Sequence, residues 1–162
     1  MATFNPGEIY QFAVKIEENG EKYYRWVADT VEKGDLEKLF EYLADAEVNH
    51  KKVFKKMLSR FEDYKPRESY PDEYFKYLRA YADNLIFSIE NLTQDMQSIE
   101  TARDAIQYGI SKELETIAYY REMKNLISES EQDKINDIIE EEKKHVLKLS
   151  EIEEEYKNSK LK

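Results

Sequence analysis

Leu43-Ala44-Asp45-Ala46-Glu47-Val48-Asn49-His50 is the stretch on which the reading of this chain turns, together with its echo Glu140-Glu141-Glu142-Lys143-Lys144-His145. The chain has 2 histidines, and each sits three residues after a glutamate. On a helix, positions i and i+3 share a face. At about 100° per residue, Glu47 with His50 and Glu142 with His145 both fall within about 40° of the centre of an apolar stripe. Leu43 and Phe54 continue the first stripe, and Ile138 and Leu149 continue the second. A carboxylate beside an imidazole on an inward face is the donor combination of a transition-metal site.

Outward from these two stretches, apolar residues recur at spacings of three and four. Asn5-Pro6 reads as an N-cap with proline at the first helical position. Ile9, Ala13, Ile16, Gly20, Tyr23, Val27 and Val31 then predict a helix over about 6–32. Gly34-Asp35 reads as a stop followed by a new N-cap. A second helix over about 35–62 carries Leu36, Leu39, Phe40, Leu43, Ala46, Phe54, Met57, Leu58 and Phe61. A third is predicted over about 98–127, with Ile106, Gly109, Ile110, Ile117, Tyr120 and Ile127 inward. The fourth, over about 131–157, follows Ser130 as a candidate cap and carries Ile135, Ile138, Ile139, Leu149, Ile152 and Tyr156. The polar tail after it is expected to fray. Between the second and third helices, about 63–97 form a crossover. Pro66 and Pro71 open it, and Tyr74, Phe75, Tyr77, Leu78, Tyr81 and Leu85 suggest a short helix over about 72–90, a core or dimer contact. Short, long, short connections between four long helices specify an all-α bundle with one crossover, the topology of ferritin-like folds.

Composition agrees with this. A chain of 162 residues with 4 Gly, 3 Pro and 37% charged residues favours one domain of long helices. The net charge of −10 argues against nucleic acid and anionic membranes as partners. No apolar run is long enough to span a bilayer, and Met1–Glu8 lacks signal-peptide character, so a cytoplasmic protein is expected. Zero Cys excludes thiolate zinc, iron–sulfur and thiol chemistry within the chain.

The same wheel places Glu113 between Ile110 and Ile117, close to the centre of the third stripe, and Glu17 at the border of the first. Glu18 and Glu115 point away, and Glu141 lies at the edge of the fourth stripe. Each long helix thus sends at least one glutamate inward. Four carboxylates gathered in an apolar core are not tolerated without cations. Two divalent ions would balance them, with His50 and His145 completing the donors. Glu from each of two helices and Glu-x-x-His from each of the others is the known pattern of di-iron and di-manganese carboxylate bundles. The halves repeat. Glu17 and Glu113 are spaced almost as Glu47 and Glu142 are, Tyr23-Tyr24 recurs as Tyr119-Tyr120, and Phe40, Leu43, Phe54 and Met57 match Ile135, Ile138, Leu149 and Ile152. A pseudo-twofold axis would put one metal-binding set in each half.

Ile16-Glu17-Glu18-Asn19-Gly20-Glu21-Lys22-Tyr23-Tyr24 with Leu43–His50, and Gly109-Ile110-Ser111-Lys112-Glu113 with Glu140–His145, resemble the rubrerythrin-like branch of the ferritin superfamily. The resemblance covers roughly residues 5–60 and 98–156. It implies Glu17, Glu47, His50, Glu113, Glu142 and His145 as di-metal ligands, with Glu47 and Glu142 bridging and Glu17 and Glu113 terminal. Full-length rubrerythrins carry a rubredoxin domain with four cysteines. None is present here, so the implied electron donor is a separate protein such as rubredoxin. The family's peroxidases carry a further glutamate one turn after the third-helix ligand, and Thr116 stands at that position.

The expectation is a carboxylate-bridged di-iron protein in which the metal pair supplies two electrons to hydrogen peroxide or O2. Manganese suits the same donors, and zinc can enter adventitiously. A ferroxidase or an iron storage and transfer protein is the alternative, and a metal-free structural bundle is a third. Tyr24 and Tyr120, each two turns beyond an inward glutamate, are candidate hydrogen-bond donors to the ligands. Gly20 and Gly109 are expected to permit close helix approach. A homodimer is expected from the family and the aromatic crossover.

Overall fold

A computed structural model describes residues 6–61, 73, 76, 77, 80 and 89–160. Among the described residues the fully bounded helices are, in order, α1 (Pro6–Thr30), α2 (Asp35–Ser59), α3 (Ile89–Ser98), α4 (Ala102–Lys124) and α5 (Glu129–Lys160). They form an all-α ferritin-like bundle of four long helices, with α3 in the connection that crosses it. Among the described residues, no helix is long and apolar enough to cross a membrane.

Local chemistry sets the helix ends. Pro6 opens α1, where its missing N–H costs nothing. Gly34, not Asp35, is the N-cap of α2, because φ of 151° at this turn suits a residue without Cβ. Asp35 becomes the first helical residue, and the Glu37 carboxylate accepts from the Gly34 N–H at 3.3 Å. The third long helix starts at Ala102 rather than near Ser98. The Thr101 hydroxyl accepts from the Asp104 N–H at 3.1 Å, and Asp104 accepts from the Thr101 N–H at 3.0 Å, a reciprocal capping box. Ser98 instead closes α3, its hydroxyl donating to the Asp95 carbonyl at 2.6 Å.

The last helix starts at Glu129, earlier than expected, so Ser130 lies inside its first turn. The Ser130 hydroxyl pairs with that of Ser128 at 3.1 Å and does not act as the predicted cap. The tail expected to fray is helical through Lys160, with Lys157 3.6 Å from Glu154 and 3.8 Å from Glu153. The first three long helices end short of prediction, at Thr30, Ser59 and Lys124. Arg60 and Asn125 cap the latter two by turning their N–H groups onto carbonyls two and three residues back. Most of the helix expected over 72–90 lies outside the described residues. Glu73, Lys76, Tyr77 and Ala80 are helical, and α3 carries helix on past about 90, where the crossover was predicted without one.

Cross-helix contacts give the directions. Arg25 meets Asp45 and Glu21 meets Lys51, so α1 and α2 run antiparallel. Arg103 meets Glu153 and Lys124 meets Asn136, so α4 and α5 do likewise. Tyr23 reaches the Ala105 carbonyl while Tyr119 reaches that of Ile9, so α4 also opposes α1. The crossover must therefore run the length of the bundle, which a short loop cannot do.

The core is divided. One apolar cluster, at the end where the crossover departs, holds Ile9, Tyr10, Ala13, Phe54, Met57, Ile117, Tyr120, Ile135 and Ile138. The other holds Tyr23, Tyr24, Val27, Phe40, Leu43, Ala105, Ile106 and Leu149. Repeat-related residues fall in opposite clusters: Phe40 against Ile135, Phe54 against Leu149, Tyr24 against Tyr120. The pseudo-twofold axis therefore crosses the bundle at its middle, where the apolar packing is interrupted.

Candidate metal centre

Between the two clusters lies a layer of ionisable side chains. Glu17 of α1, Glu47 and His50 of α2, Glu113 of α4, and Glu142 and His145 of α5 are all at most 3% exposed. The helical period that lines up Leu43 and Phe54 also aims Glu47 and His50 inward, and the same holds on α5. Six such groups without compensation would cost the fold more than it could bear.

The layer contains two overlapping donor groups, Glu17–Glu47–His50–Glu142 and Glu47–Glu113–Glu142–His145. Within each, one donor atom per residue lies within 4.8 Å of the others. Glu47 and Glu142 belong to both. The structure thus brings together all six residues singled out in the sequence, with the two shared carboxylates between the unshared ones. Glu18 is partly exposed beside them and Glu141 is exposed.

The polar atoms in this layer are conspicuously unsatisfied. His50 Nδ1 lies 3.4 Å from Glu17 Oε2 and 3.2 Å from Glu142 Oε1. His145 Nδ1 lies 2.8 Å from Glu142 Oε2 and 3.4 Å from Glu113 Oε1. Yet Glu17 Oε2, both Glu142 oxygens and both Nδ1 atoms have no hydrogen-bond partner. Buried polar groups are almost always paired, and an orphaned set aimed at one point calls for an ion. Carboxylate and imidazole donors with no thiolate suit iron or manganese. The residues present fit a pair of divalent cations.

The electrostatics of the metal-free layer agree. Burial, then the Glu17 charge, raises the Glu47 carboxyl well above its ordinary range. Burial, then Glu142, pushes Glu113 up to about 8. Burial alone would lower His50, but Glu17 and Glu142 drive it up to about 12. Burial opposes His145 in the same way, and Glu113 and Glu142 raise it to about 9. Burial works against an ionised Glu142 too, but the two imidazoles beside it hold it low. Without metal the layer retains protons, which cations would displace.

The outer contacts are reciprocal. The Tyr24 hydroxyl donates to Glu113 Oε1 at 2.5 Å. The Tyr120 hydroxyl donates to Glu17 Oε1. Each tyrosine therefore serves the glutamate of the opposite half, not the one two turns before it on its own helix. At Glu17 the bond occupies Oε1 and leaves Oε2 facing His50 Nδ1, whereas at Glu113 the bonded Oε1 is itself the oxygen 3.4 Å from His145 Nδ1. Gly20 admits Glu47, since a Cβ there would lie 2.6 Å from Glu47 Oε2. Gly109 plays a packing role instead, with Leu149 Cδ1 3.3 Å and Tyr24 Cε1 3.5 Å from where a Cβ would stand. Thr116 is buried one turn after Glu113.

One residue with a part in the site is not evident from the helix wheel. Glu141, 54% exposed at its side chain, accepts from His50 Nε2 at 2.6 Å. That bond keeps a proton on Nε2, so Nδ1 is the nitrogen offered to an ion once its own proton is displaced. The wheel places Glu141 at the stripe edge, but only the packing of α2 on α5 shows that His50 meets it.

Known proteins bear on this geometry. A crystal structure from Thermotoga maritima, described as a ferritin-like diiron-carboxylate protein, superposes with a TM-score of 0.67 and 25% identity over 96% of this chain and 99% of that one. No curated protein matches the chain significantly. The family model for rubrerythrin matches residues 8–153, which include all six inward donors. By that match the chain belongs to the rubrerythrin family, a family of di-iron carboxylate proteins.

Proposed function

We propose that Glu17, Glu47, His50, Glu113, Glu142 and His145 hold two iron ions, and that the protein is an oxidoreductase reducing hydrogen peroxide or O2. The observation that carries this reading is the set of orphaned donors on two overlapping groups that share Glu47 and Glu142. Two ferrous ions, when bound, supply two electrons, and with two protons hydrogen peroxide leaves as two waters.

The chain's own residues supply the setting. Glu47 and Glu142 lie where each can serve both ions. Glu17 and Glu113 are oriented by Tyr120 and Tyr24. Glu141 fixes the tautomer of His50. The apolar clusters on either side exclude bulk water, which strengthens every charge interaction in the layer. The electrons are restored by an external one-electron donor such as a rubredoxin.

Iron handling is the second reading, and Thr116 favours it. The carboxylate that would make the two halves unequal is replaced by a hydroxyl, so each ion has matching donors. Stopped-flow oxidation separates the two. Fast reoxidation of the di-ferrous protein by peroxide, with turnover on added rubredoxin, supports the reductase. Continued Fe²⁺ uptake beyond two ions per chain supports storage. Zero bound metal in protein reconstituted anaerobically with Fe²⁺ would overturn both.

A further inference from the structure

The pseudo-twofold repeat makes the inner donors of the two histidines equivalent but not their outer neighbours. Outside His50 stand Glu141 and, one turn earlier on α5, Asp137. At the corresponding places outside His145 stand Ala46 and Tyr42. The Tyr42 ring meets the His145 ring edge-on at 6.0 Å and is itself covered by Lys148 Nζ at 5.1 Å.

Over His50 there is a groove of about 350 Å³ between α2 and α5. His50, Lys56, Lys134, Asp137 and Glu141 are among the residues that line it. His50 is thus at once a wall of this surface groove and, through Nδ1, a member of the buried donor layer. The ring stands between the groove and the layer, hinged on its bond to Glu141.

We propose that this groove is the path by which a divalent cation reaches the centre, with Glu141 as the entry ligand and the His50 ring as the gate. The proposal rests on the metal-centre reading above. A cation arriving in the groove meets the Glu141 carboxylate, whose exposed oxygens suit a hydrated hard ion. Ligation there competes with the bond to His50 Nε2. Losing that bond frees the imidazole to turn about its χ2 axis and admit the ion to Glu17, Glu47 and Glu142. Once the ion has passed, Glu141 accepts from Nε2–H again and holds Nδ1 inward. The two lysines offset Asp137 and Glu141 in charge, so the groove works by ligation and not by a long-range field. The Glu113–His145 position, behind Tyr42, fills through the first.

Stopped-flow loading of the unaltered metal-free protein with Co²⁺, followed by ligand-field absorption, tests this. Two phases are expected, each of one ion per chain, and His50→Ala removes the fast one. In Glu141→Gln, which keeps an acceptor for Nε2–H, on- and off-rates at the first position fall together and the equilibrium constant stays nearly unchanged. ¹⁵N chemical shifts of His50 Nε2 in the metal-free variant report whether its hydrogen bond to residue 141 is retained. Tyr42→Ala accelerates the slow phase. Equal rates for both ions in the unaltered protein would overturn the proposal and leave the centre intact, as would a Glu141→Gln variant that loads as fast as its parent. Failure to bind Co²⁺ at all would overturn the centre itself.

Discussion

The α1–α2 and α4–α5 halves of this bundle are alike on the inside and different on the outside. Inside, Glu17, Glu47 and His50 match Glu113, Glu142 and His145, and each half sends a tyrosine to the other's unshared glutamate. Outside, His50 rests on an exposed carboxylate and His145 on an aromatic ring. In the repeat, Gly20, which lies beside Glu47, occupies the place that the buried Thr116 holds in the other half. Donor chemistry restricts which side chains can enclose two cations, so the interior stays symmetric. The outer positions are free of that restriction, so differences in access and timing can reside there.

The largest expected effect breaks the comparison at its axis. Glu47→Ala removes a donor common to both groups and is expected to take metal content from two ions per chain to nearly none. Glu17→Ala should remove one. Elemental analysis distinguishes them. With free metal at about one hundred times Kd, each occupied position contributes about 2.7 kcal/mol to the loaded protein, so Glu47→Ala should also show the larger loss in Tm.

Gly20→Ala comes next. Its Cβ would stand 2.6 Å from Glu47 Oε2, so the carboxylate has to move from its place between the two groups. A loss of metal affinity of roughly 10- to 100-fold is expected. The opposite-half change, Thr116→Ala, should leave affinity within a few-fold, as measured by competition with a chromophoric chelator.

The proton content of the layer gives a third test. Glu113 is raised from 4.5 to about 8 and His145 from 6.5 to about 9, and Glu47 is raised as well. A group whose folded pKa lies above its unfolded value stabilises below the unfolded pKa, and that stability is lost as pH rises through the folded one. Metal-free protein should therefore melt at lower temperature at pH 8 than at pH 5.5. Metal-loaded protein should show the reverse, because cations displace those protons. Parallel melting curves for the two forms across this range would contradict the account.

The last test asks whether the tyrosines are equivalent. Tyr24→Phe and Tyr120→Phe each remove one buried bond to a carboxylate, expected to cost about 1.5–3 kcal/mol in the loaded protein. Similar losses by denaturant titration would confirm that the symmetry extends beyond the ligands. A loss confined to one of them would limit it to the six donors.

Much of this was legible in the sequence because helical period and donor chemistry are local. The spacing that puts Glu47 and His50 on the face of Leu43 and Phe54 needs no tertiary information, and the repeat supplies the matching half. Helix ends were less legible. Thr101 and Asp104 form a capping box that outcompetes a start near Ser98, and Gly34 takes the cap position that its neighbour Asp35 also suits by type. The direction of the tyrosine bonds was not legible from one helix at a time. Tyr24 reaches Glu113 only because α4 runs against α1 beside it. Glu141 is the sharpest case: its place at the stripe edge names no partner, and only its distance to His50 gives it a role.

An anomalous-scattering map of crystals grown from Fe²⁺-reconstituted protein, recorded on either side of the iron edge, tests the central claim most directly. The account predicts two iron peaks in the layer between the apolar clusters, one ligated by Glu17 and His50, one by Glu113 and His145, with Glu47 and Glu142 reaching both. A layer without iron, its six side chains paired to one another or to water, would contradict it.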